Sequence, residues 1–214
     1  MKFSGTFELE DTTTEEVWLA LSDPVMIESA LPGCEFLVRV GEGDVDFDAL
    51  REEHAGRDVE PTSDPETIAE RAFEEGERYA AVMQVSVGPV NPTFETVVTI
   101  DHREQPAMEA SGEGSTGDSS FEMHSWMDLT ATDDGIGVDW ETEADVFGRI
   151  ASMGQRVINP AANQVVKRFF SSVQSEIRER EIAEGGTVEA AEAAEETSDD
   201  RGIVDRILGR SEGS

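Results

Sequence analysis

Along the first forty residues, apolar positions follow two periods. Phe3, Gly5, Phe7 and Leu9 alternate with Lys2, Ser4, Thr6 and Glu8, the spacing of a half-buried strand. A threonine cluster at 12–14 precedes Glu15 and Glu16, so hydroxyl capping and first-turn acids start a short helix carrying Val17, Trp18 and Leu21. Ser22-Asp23-Pro24 ends it and opens a second short helix through Met26, Ile27, Ala30 and Leu31, which Pro32-Gly33 stops. Cys34 to Val40 predicts another strand.

Period two returns at Tyr79 and holds for most of seventy residues. Tyr79, Ala81, Met83, Val85 and Val87 alternate up to a Gly88-Pro89 turn; Phe94, Thr96, Val98 and Ile100 follow, then Met108, Ala110 and Gly112. A Gly- and Ser-rich turn is expected at 111–120. Beyond it, Phe121, Met123, Ser125, Met127 and Leu129 share one face, and after Asp133-Asp134-Gly135 a last strand carries Ile136, Val138, Trp140, Thr142, Ala144 and Val146. Short connections between successive strands make an antiparallel meander.

The longest helical run spans Gly148 to Arg180. Ile150, Met153, Val157, Ala161, Val165, Phe169, Val173 and Ile177 recur at spacings of three or four, one stripe along a helix. At about 1.5 Å per residue the run would reach roughly 48 Å, and Pro160, lacking an amide donor, should bend it. The order predicts an α+β helix-grip architecture: a curved antiparallel sheet of six to seven strands wrapped around a long C-terminal helix, with two short helices after the first strand.

Composition then divides the chain. We expect one globular domain over residues 1–180, with an acidic insertion at 41–77. That insertion contains Pro61 and Pro65 and one candidate helix, Pro65 to Glu75, with Ile68, Ala69, Ala72 and Phe73 as its sparse apolar side. It reads as a tolerated loop, or else a solvated lid. Residues 181–200, rich in Ala, Glu and Gly, read as a disordered acidic tether. Residues 201–214 carry a short amphipathic segment in which Ile203, Val204, Ile207 and Leu208 are flanked by Arg201, Arg206 and Arg210. Such a patch suits an anionic bilayer or a partner's groove, a disordered end being the alternative.

Charge and cysteine content narrow the function. Forty-eight acids against sixteen bases give a formal charge of −32, and Lys2 and Lys167 are the only lysines. Such a surface suits molar salt, where the Debye length falls to about 3 Å and self-repulsion is screened; an acidic protein of ordinary salt is the alternative. A broad nucleic-acid footprint lacks its basic patch. One cysteine, Cys34, excludes an internal disulfide, and with His54, His102 and His124 it makes no spaced metal cluster. Cys34 reads as a small buried hydrophobe rather than a reactive thiol. His124, with Glu122 and Asp128 on its face, reads as solvated surface charge rather than a cation site. The start Met-Lys-Phe-Ser-Gly lacks a leader pattern, and no eighteen apolar residues run together; we expect a cytoplasmic protein. No nucleophile, phosphate loop or paired catalytic carboxylate is visible.

Several strings carry a family resemblance: Met1-Lys2-Phe3-Ser4-Gly5, Val17-Trp18 with Leu21-Ser22-Asp23-Pro24, Leu31-Pro32-Gly33-Cys34-Glu35, Val87-Gly88-Pro89-Val90 before Phe94, and Gly112-Glu113-Gly114 before Phe121. Over residues 1–40 and 78–180 the chain resembles the family of the carbon monoxide dehydrogenase G subunit (CoxG), part of the START/Bet v1-like (SRPBCC) superfamily, in which sheet and helix enclose a hydrophobic cavity. The acidic segment 41–77 departs from that family's short hairpin. The resemblance implies a non-catalytic accessory protein of an aerobic molybdenum hydroxylase of the CO dehydrogenase type, peripherally membrane-associated through its C-terminal segment, with a lipophilic quinone as ligand and no covalently bound cofactor.

For the cavity, inward positions nominate Met83, Val85, Phe94, Met108, Phe121, Met123, Met127, Trp140, Met153 and Val157, thioethers being adaptable liners of apolar sites. Because Gly148, Ala151, Gly154, Ala161 and Ala162 thin the first half of the long helix, the void is expected over residues 148–162. Two other functions stay open: a polyketide-cyclase-like enzyme on this scaffold, for which the inward faces offer only Thr96, Ser125 and Thr142 as polar groups, and a structural recruiter with a filled core.

Overall fold

A computed structural model describes residues 1–57 and 59–180 of the chain; the tether and the amphipathic segment expected at 181–214 lie outside the described residues. In chain order the elements are β1 (Lys2–Glu10), α1 (Thr14–Ser22), α2 (Pro24–Ala30), β2 (Cys34–Val40), α3 (Phe47–His54), α4 (Pro65–Arg71), β3 (Arg78–Gln84), β4 (Thr93–Glu104), β5 (Ala107–Thr116), β6 (Ser119–Ala131), β7 (Gly135–Phe147), α5 (Gly148–Ala151) and α6 (Gln155–Arg180). The seven strands form one antiparallel sheet in the order β1-β7-β6-β5-β4-β3-β2. This is the expected α+β helix-grip architecture.

Local chemistry explains the element ends. Thr13 and Glu16 form a capping box at α1: Glu16 N donates to Thr13 Oγ1 (3.3 Å) and Thr13 N donates to Glu16 Oε2 (2.6 Å), which satisfies two amides that have no helical acceptor. Asp23 caps α2 by accepting from Val25 N at 3.0 Å. The expected turn at 111–120 shrinks to Gly117-Asp118, because β5 continues to Thr116 and β6 begins at Ser119. The small residues read as a loop are instead paired strand positions.

The terminal helix also differs from expectation. It is interrupted at Ser152–Gly154, where Gly154 takes φ +76°, and Pro160 sits inside α6. At the sixth position of the helix, proline forfeits one amide donor just beyond the four that lack partners anyway. The backbone break therefore belongs to the glycine.

The insertion is neither a plain loop nor a solvated lid. It carries two helices, and α3 escapes a reading of the pattern because only Phe47 and Leu50 mark its apolar side. Asp46 caps α3, accepting from Ala49 N at 3.0 Å, and Val45 and Leu50 flank the cap at the positions of a hydrophobic staple. Val45, Phe47 and Leu50 pack with Phe36, Ala80 and Val82 on the outer face of β2 and β3. The helix expected to reach Glu75 ends at Arg71, and the segment beyond it plunges inward. Ile68 is fully buried beside α1 and α6, and Phe73 stacks edge-on with Tyr79 at 4.8 Å. Burying Ile68 contributes about 1.5–3 kcal/mol.

Ionic stitches reinforce that attachment. Arg71 grips the fully buried Asp23 with two parallel bonds, Nε to Oδ1 at 2.8 Å and Nη2 to Oδ2 at 2.6 Å. Glu28, also buried, accepts from Leu37 N (3.0 Å) and from Arg57. Arg39 reaches the buried Glu77 at 2.7 Å. In each case a carboxylate taken out of water receives an arginine. Losing one partner of such a pair leaves an uncompensated buried charge. Arg71→Ala is therefore expected to destabilise the domain by about 3–5 kcal/mol in urea unfolding, whereas an effect below about 1 kcal/mol, the range of exposed pairs, would show the bridge to be a surface contact.

Candidate ligand-binding site

The inner, concave face of the sheet is packed at its two ends by separate clusters. At one end Leu9, Leu129, Ile136 and Val138 meet α1, α2 and the back half of α6 through Phe170, Val173 and Ile177, with a neighbouring cluster of Leu37, Phe73, Tyr79, Ala81, Ile100 and Met108. At the other end Val87, Phe94, Ile150 and Ile158 are buried, with Phe3, Val85, Phe121, Val146, Met153, Val157 and Ala161 around them. Between these ends Met83, Val98, Met123, Ser125, Thr142 and Ala144 are partly exposed, whereas Met127 and Trp140, also partly exposed, pack against the first cluster and Ala110 and Met127 against its neighbour. Helix α6 leans on β1 and α2, and Gln174 ties it to the sheet margin by donating to Glu10 O at 3.0 Å and accepting from Glu10 N at 2.8 Å.

Three glycines set the height of the inner face. Gly5 is paired with Trp140, Gly112 with Met123 and Gly114 with Phe121. A Cβ added to Gly5 would meet the Trp140 ring at 3.3 Å, one on Gly112 would meet Met123 Cε at 3.0 Å, and one on Gly114 would meet the Phe121 ring at 2.5 Å. Three large side chains thus lie flat across neighbouring strands. They cover sheet rather than standing toward the helix. Polar groups in this stretch are few: Ser125 Oγ and Thr142 Oγ1 are 2.8 Å apart and share one hydrogen bond.

The structure divides the ten nominated residues. Val85, Phe94, Phe121, Met153 and Val157 belong to the packed far end, and Met108 is buried in the second cluster. Met127 and Trp140 pack against the first cluster and Met127 against the second as well, while Met83 and Met123 are partly exposed. The void expected over 148–162 is therefore misplaced: Ile150 and Ile158 fill that region, and Gly88 approaches so closely that an added Cβ would stand 2.9 Å from Val157 Cγ1. Thin side chains there admit the β3–β4 loop, not a ligand. Val98 and Ala144, not among the ten, share the partly exposed inward row that the alternation of the strands predicts.

Other nominated groups resolve as structural. Cys34 is half-buried: its thiol donates to Phe36 O at 3.3 Å, and burial, with Glu28 nearby, pushes its pKa up to about 12. Tyr79 is raised too, by burial and then by its bond to Glu77. His124 faces Asp101 (3.5 Å) and Glu109 (3.8 Å) rather than Glu122 and Asp128 as its near partners, and it packs on Trp126 with centroids 4.3 Å apart. Among the described residues no group of three His, Cys, Asp or Glu could hold a metal ion. Two recesses of about 540 Å³ open on the outer face, where Glu122, His124, Glu143 and Asp145 line one and Glu109, Trp126, Asp128, Asp139 and Glu141 the other. Their acids suit water rather than an apolar guest.

Comparison with known proteins fits this geometry. Residues 71–178, half of the chain, match the family profile described as the G subunit of carbon monoxide dehydrogenase (CoxG). No curated protein matches the sequence. Among solved structures, a conserved protein from Geobacillus kaustophilus is 22% identical with a TM-score of 0.63 over 84% of this chain and 96% of its own. The Zhui aromatase/cyclase of Streptomyces sp. R1128 is 13% identical with a TM-score of 0.53 over 87% and 98%. A protein from Thermus thermophilus is 12% identical with a TM-score of 0.52 over 83% and 97%. At these identities the likeness is one of fold. No helix among the described residues is long and apolar enough to cross a membrane.

The thiol gives a direct check on the packing. Cys34, whose ordinary value is 9.0, holds its proton more tightly folded than unfolded. Below that value both states are protonated and nothing is gained or lost; above it the unfolded chain loses its proton first, so stability falls as pH rises from about 9 toward 12. At pH 8 iodoacetamide should alkylate the native protein at least about 100-fold more slowly than the urea-unfolded chain. Comparable rates, read by intact mass, would place Cys34 outside the core.

Proposed function

The chain belongs to the CoxG family, that of the carbon monoxide dehydrogenase G subunit, and on that premise we propose that it is a non-catalytic accessory protein whose concave face carries a hydrophobic ligand. The observation that supports this most is the inner face beside the first cluster, where Met123 lies flat over Gly112 and Trp140, packed on that cluster, lies over Gly5. An apolar guest buried there would release water from side chains that are otherwise half exposed, at about 25 cal/mol per Å². Methionine at Met83, Met123 and Met127 adapts to guests of different outline. A lipophilic quinone is the ligand we propose, and a molybdenum hydroxylase of the CO dehydrogenase type the partner.

The same reading gives the tail a purpose. Ile203, Val204, Ile207 and Leu208 with Arg201, Arg206 and Arg210 would hold the domain at an anionic membrane, where a lipophilic ligand resides. The charge of −32 suits work at high salt, as in a halophile's cytoplasm. A cyclase would need converging acid and base groups in the pocket; the shared Ser125–Thr142 hydrogen bond offers neither, which weighs against the enzyme.

Lipid extraction of protein isolated in high salt, followed by mass spectrometry, tests the carrier. We expect a stoichiometric apolar lipid from the native chain and at least tenfold less from Ala110→Phe, which fills the middle of the face. In the same preparations a chain lacking residues 201–210 should retain the lipid but no longer sediment with anionic vesicles. No lipid from the native protein, with sedimentation unchanged by the deletion, would leave the chain a structural recruiter.

A further inference from the structure

Between Asp145 and Glu176 the chain has no acidic residue, the longest such interval in the sequence, the next being 78–94. Arg149, Arg156, Lys167 and Arg168 fall inside it, and all four are exposed. Among the described residues, Lys2, Arg39, Arg51, Arg57, Arg71 and Arg178 each meet a carboxylate, whereas these four meet none. In a chain of charge −32 they make a local positive field on an otherwise acidic surface.

Their placement on α6 is regular. Arg156 and Lys167 are about three turns apart, so they share a stripe with the exposed Pro160, Asn163 and Ser171. Val166, Val173 and Ile177, on another side of the helix, pack on the first cluster. Arg168 stands beside Lys167, and the two line a recess of about 660 Å³ between α6 and the end of α2, together with Ser29 and Ser171. Glu176 and Glu179 stand at its far end. The outer face of the sheet is the reverse: Glu122, Glu143 and Asp145 line one of its recesses and Asp128, Asp139 and Glu141 the other.

An anionic segment suited to this stripe belongs to the same chain. Helix α6 ends at Arg180, and residues 181–200, outside the described residues, contain eight acids and no base. From Arg180 back to Lys167 is about 20 Å at 1.5 Å per residue, and twenty residues can reach as far as about 66 Å. Gly185 and Gly186 admit backbone directions that other residues resist, so the chain can reverse close to the helix end. A segment joined to the helix meets the stripe at an effective concentration on the order of millimolar, and pairs as weak as exposed ones usually are then suffice. The acidic sheet face repels it.

We propose that residues 181–200 dock along the outer face of α6, with their carboxylates on Arg156, Lys167 and Arg168 and in the recess beside α2. The contact needs no ligand and so goes beyond the carrier reading. Docked, the segment neutralises the stripe and fixes where residues 201–214 leave the domain. Any other anionic surface must displace it to reach those cations.

Lys2 and Lys167 are the only lysines, so carbodiimide coupling of the full chain, which condenses a carboxylate and an amine in contact into an amide, reads the docking directly. After tryptic digestion and mass spectrometry we expect Lys167 joined to acids of 181–200, with Lys2 joined to Glu141, its partner in the fold, as the control in the same digest. Replacing Arg156→Gln and Arg168→Gln together should lower the Lys167 link at least about threefold through the loss of two pairs and leave the Lys2 link unchanged. A Lys2 link with no Lys167 link to 181–200 would overturn the docking. So would a Lys167 link found only between chains when nitrogen-15-labelled and unlabelled protein are mixed, which would make the stripe an interface between copies. An equal yield from the double variant would overturn it as well, because charge would then not be what holds the segment. Each of these results leaves the carrier reading to be decided by lipid extraction alone.

Discussion

The architecture is governed by a mismatch of widths. Seven strands about 4.8 Å apart span roughly 29 Å between the outer two, whereas one helix with its side chains is about 10–12 Å across. A single C-terminal helix cannot fill the concave face of such a sheet. Here α6 settles against β1 and α2, and two hydrophobic clusters close the ends. The height of the sheet there is set by Gly5 and Gly112, whose bareness lets Trp140 and Met123 lie down on it, and at the far end by Gly114 under Phe121. A side chain at any of the three would force its neighbour upward toward the helix. The low relief of this face therefore follows from three missing side chains as much as from the curvature of the strands.

The insertion has the opposite role. It covers the outer face of β2 and β3 through α3, packs Ile68 into the main core, and is anchored by two of its arginines. Arg57 and Arg71 come from the insertion and answer Glu28 and Asp23, two carboxylates buried in the α2 region. Arg103 packs over Trp18 with its guanidinium 5.2 Å from the ring, burial lowering its pKa from the usual arginine value. In a chain of charge −32, the buried Asp23, Glu28 and Glu77 are each met by an arginine. That is consistent with the fork geometry of arginine being preferred for desolvated contacts.

Most of the fold was legible because alternation and capping speak locally. Lys2 to Leu9, Cys34 to Val40 and the two helices around Asp23-Pro24 emerged within a residue or two of their expected bounds. The failures have physical causes. Helix α3 carries too few apolar residues to register as a period, and its stability depends on the outer face of β2 and β3, a tertiary partner no local pattern announces. Gly112 and Gly114 read as turn formers, yet paired with Met123 and Phe121 they are strand positions whose value lies in having no side chain. The inward register expected for Met127 and Trp140 agrees with their packing on the core clusters. Depth was not legible, because the distinction between Phe121 at a packed end and Met123 in the middle depends on where α5 and the β3–β4 loop land.

A ligand seated in the middle of the concave face would lie against methionines, and the seven in the chain allow a direct measurement, because each ε-methyl gives its own NMR signal and they are spread over the core, the ends and the middle. Titration with decylubiquinone should move the methyls of Met83, Met123 and Met127 while that of Met26, wholly enclosed between α2 and its neighbours, stays in place. A saturating titration that leaves those three unmoved, or that moves only Met1 and Met153 at the far end, would contradict the account.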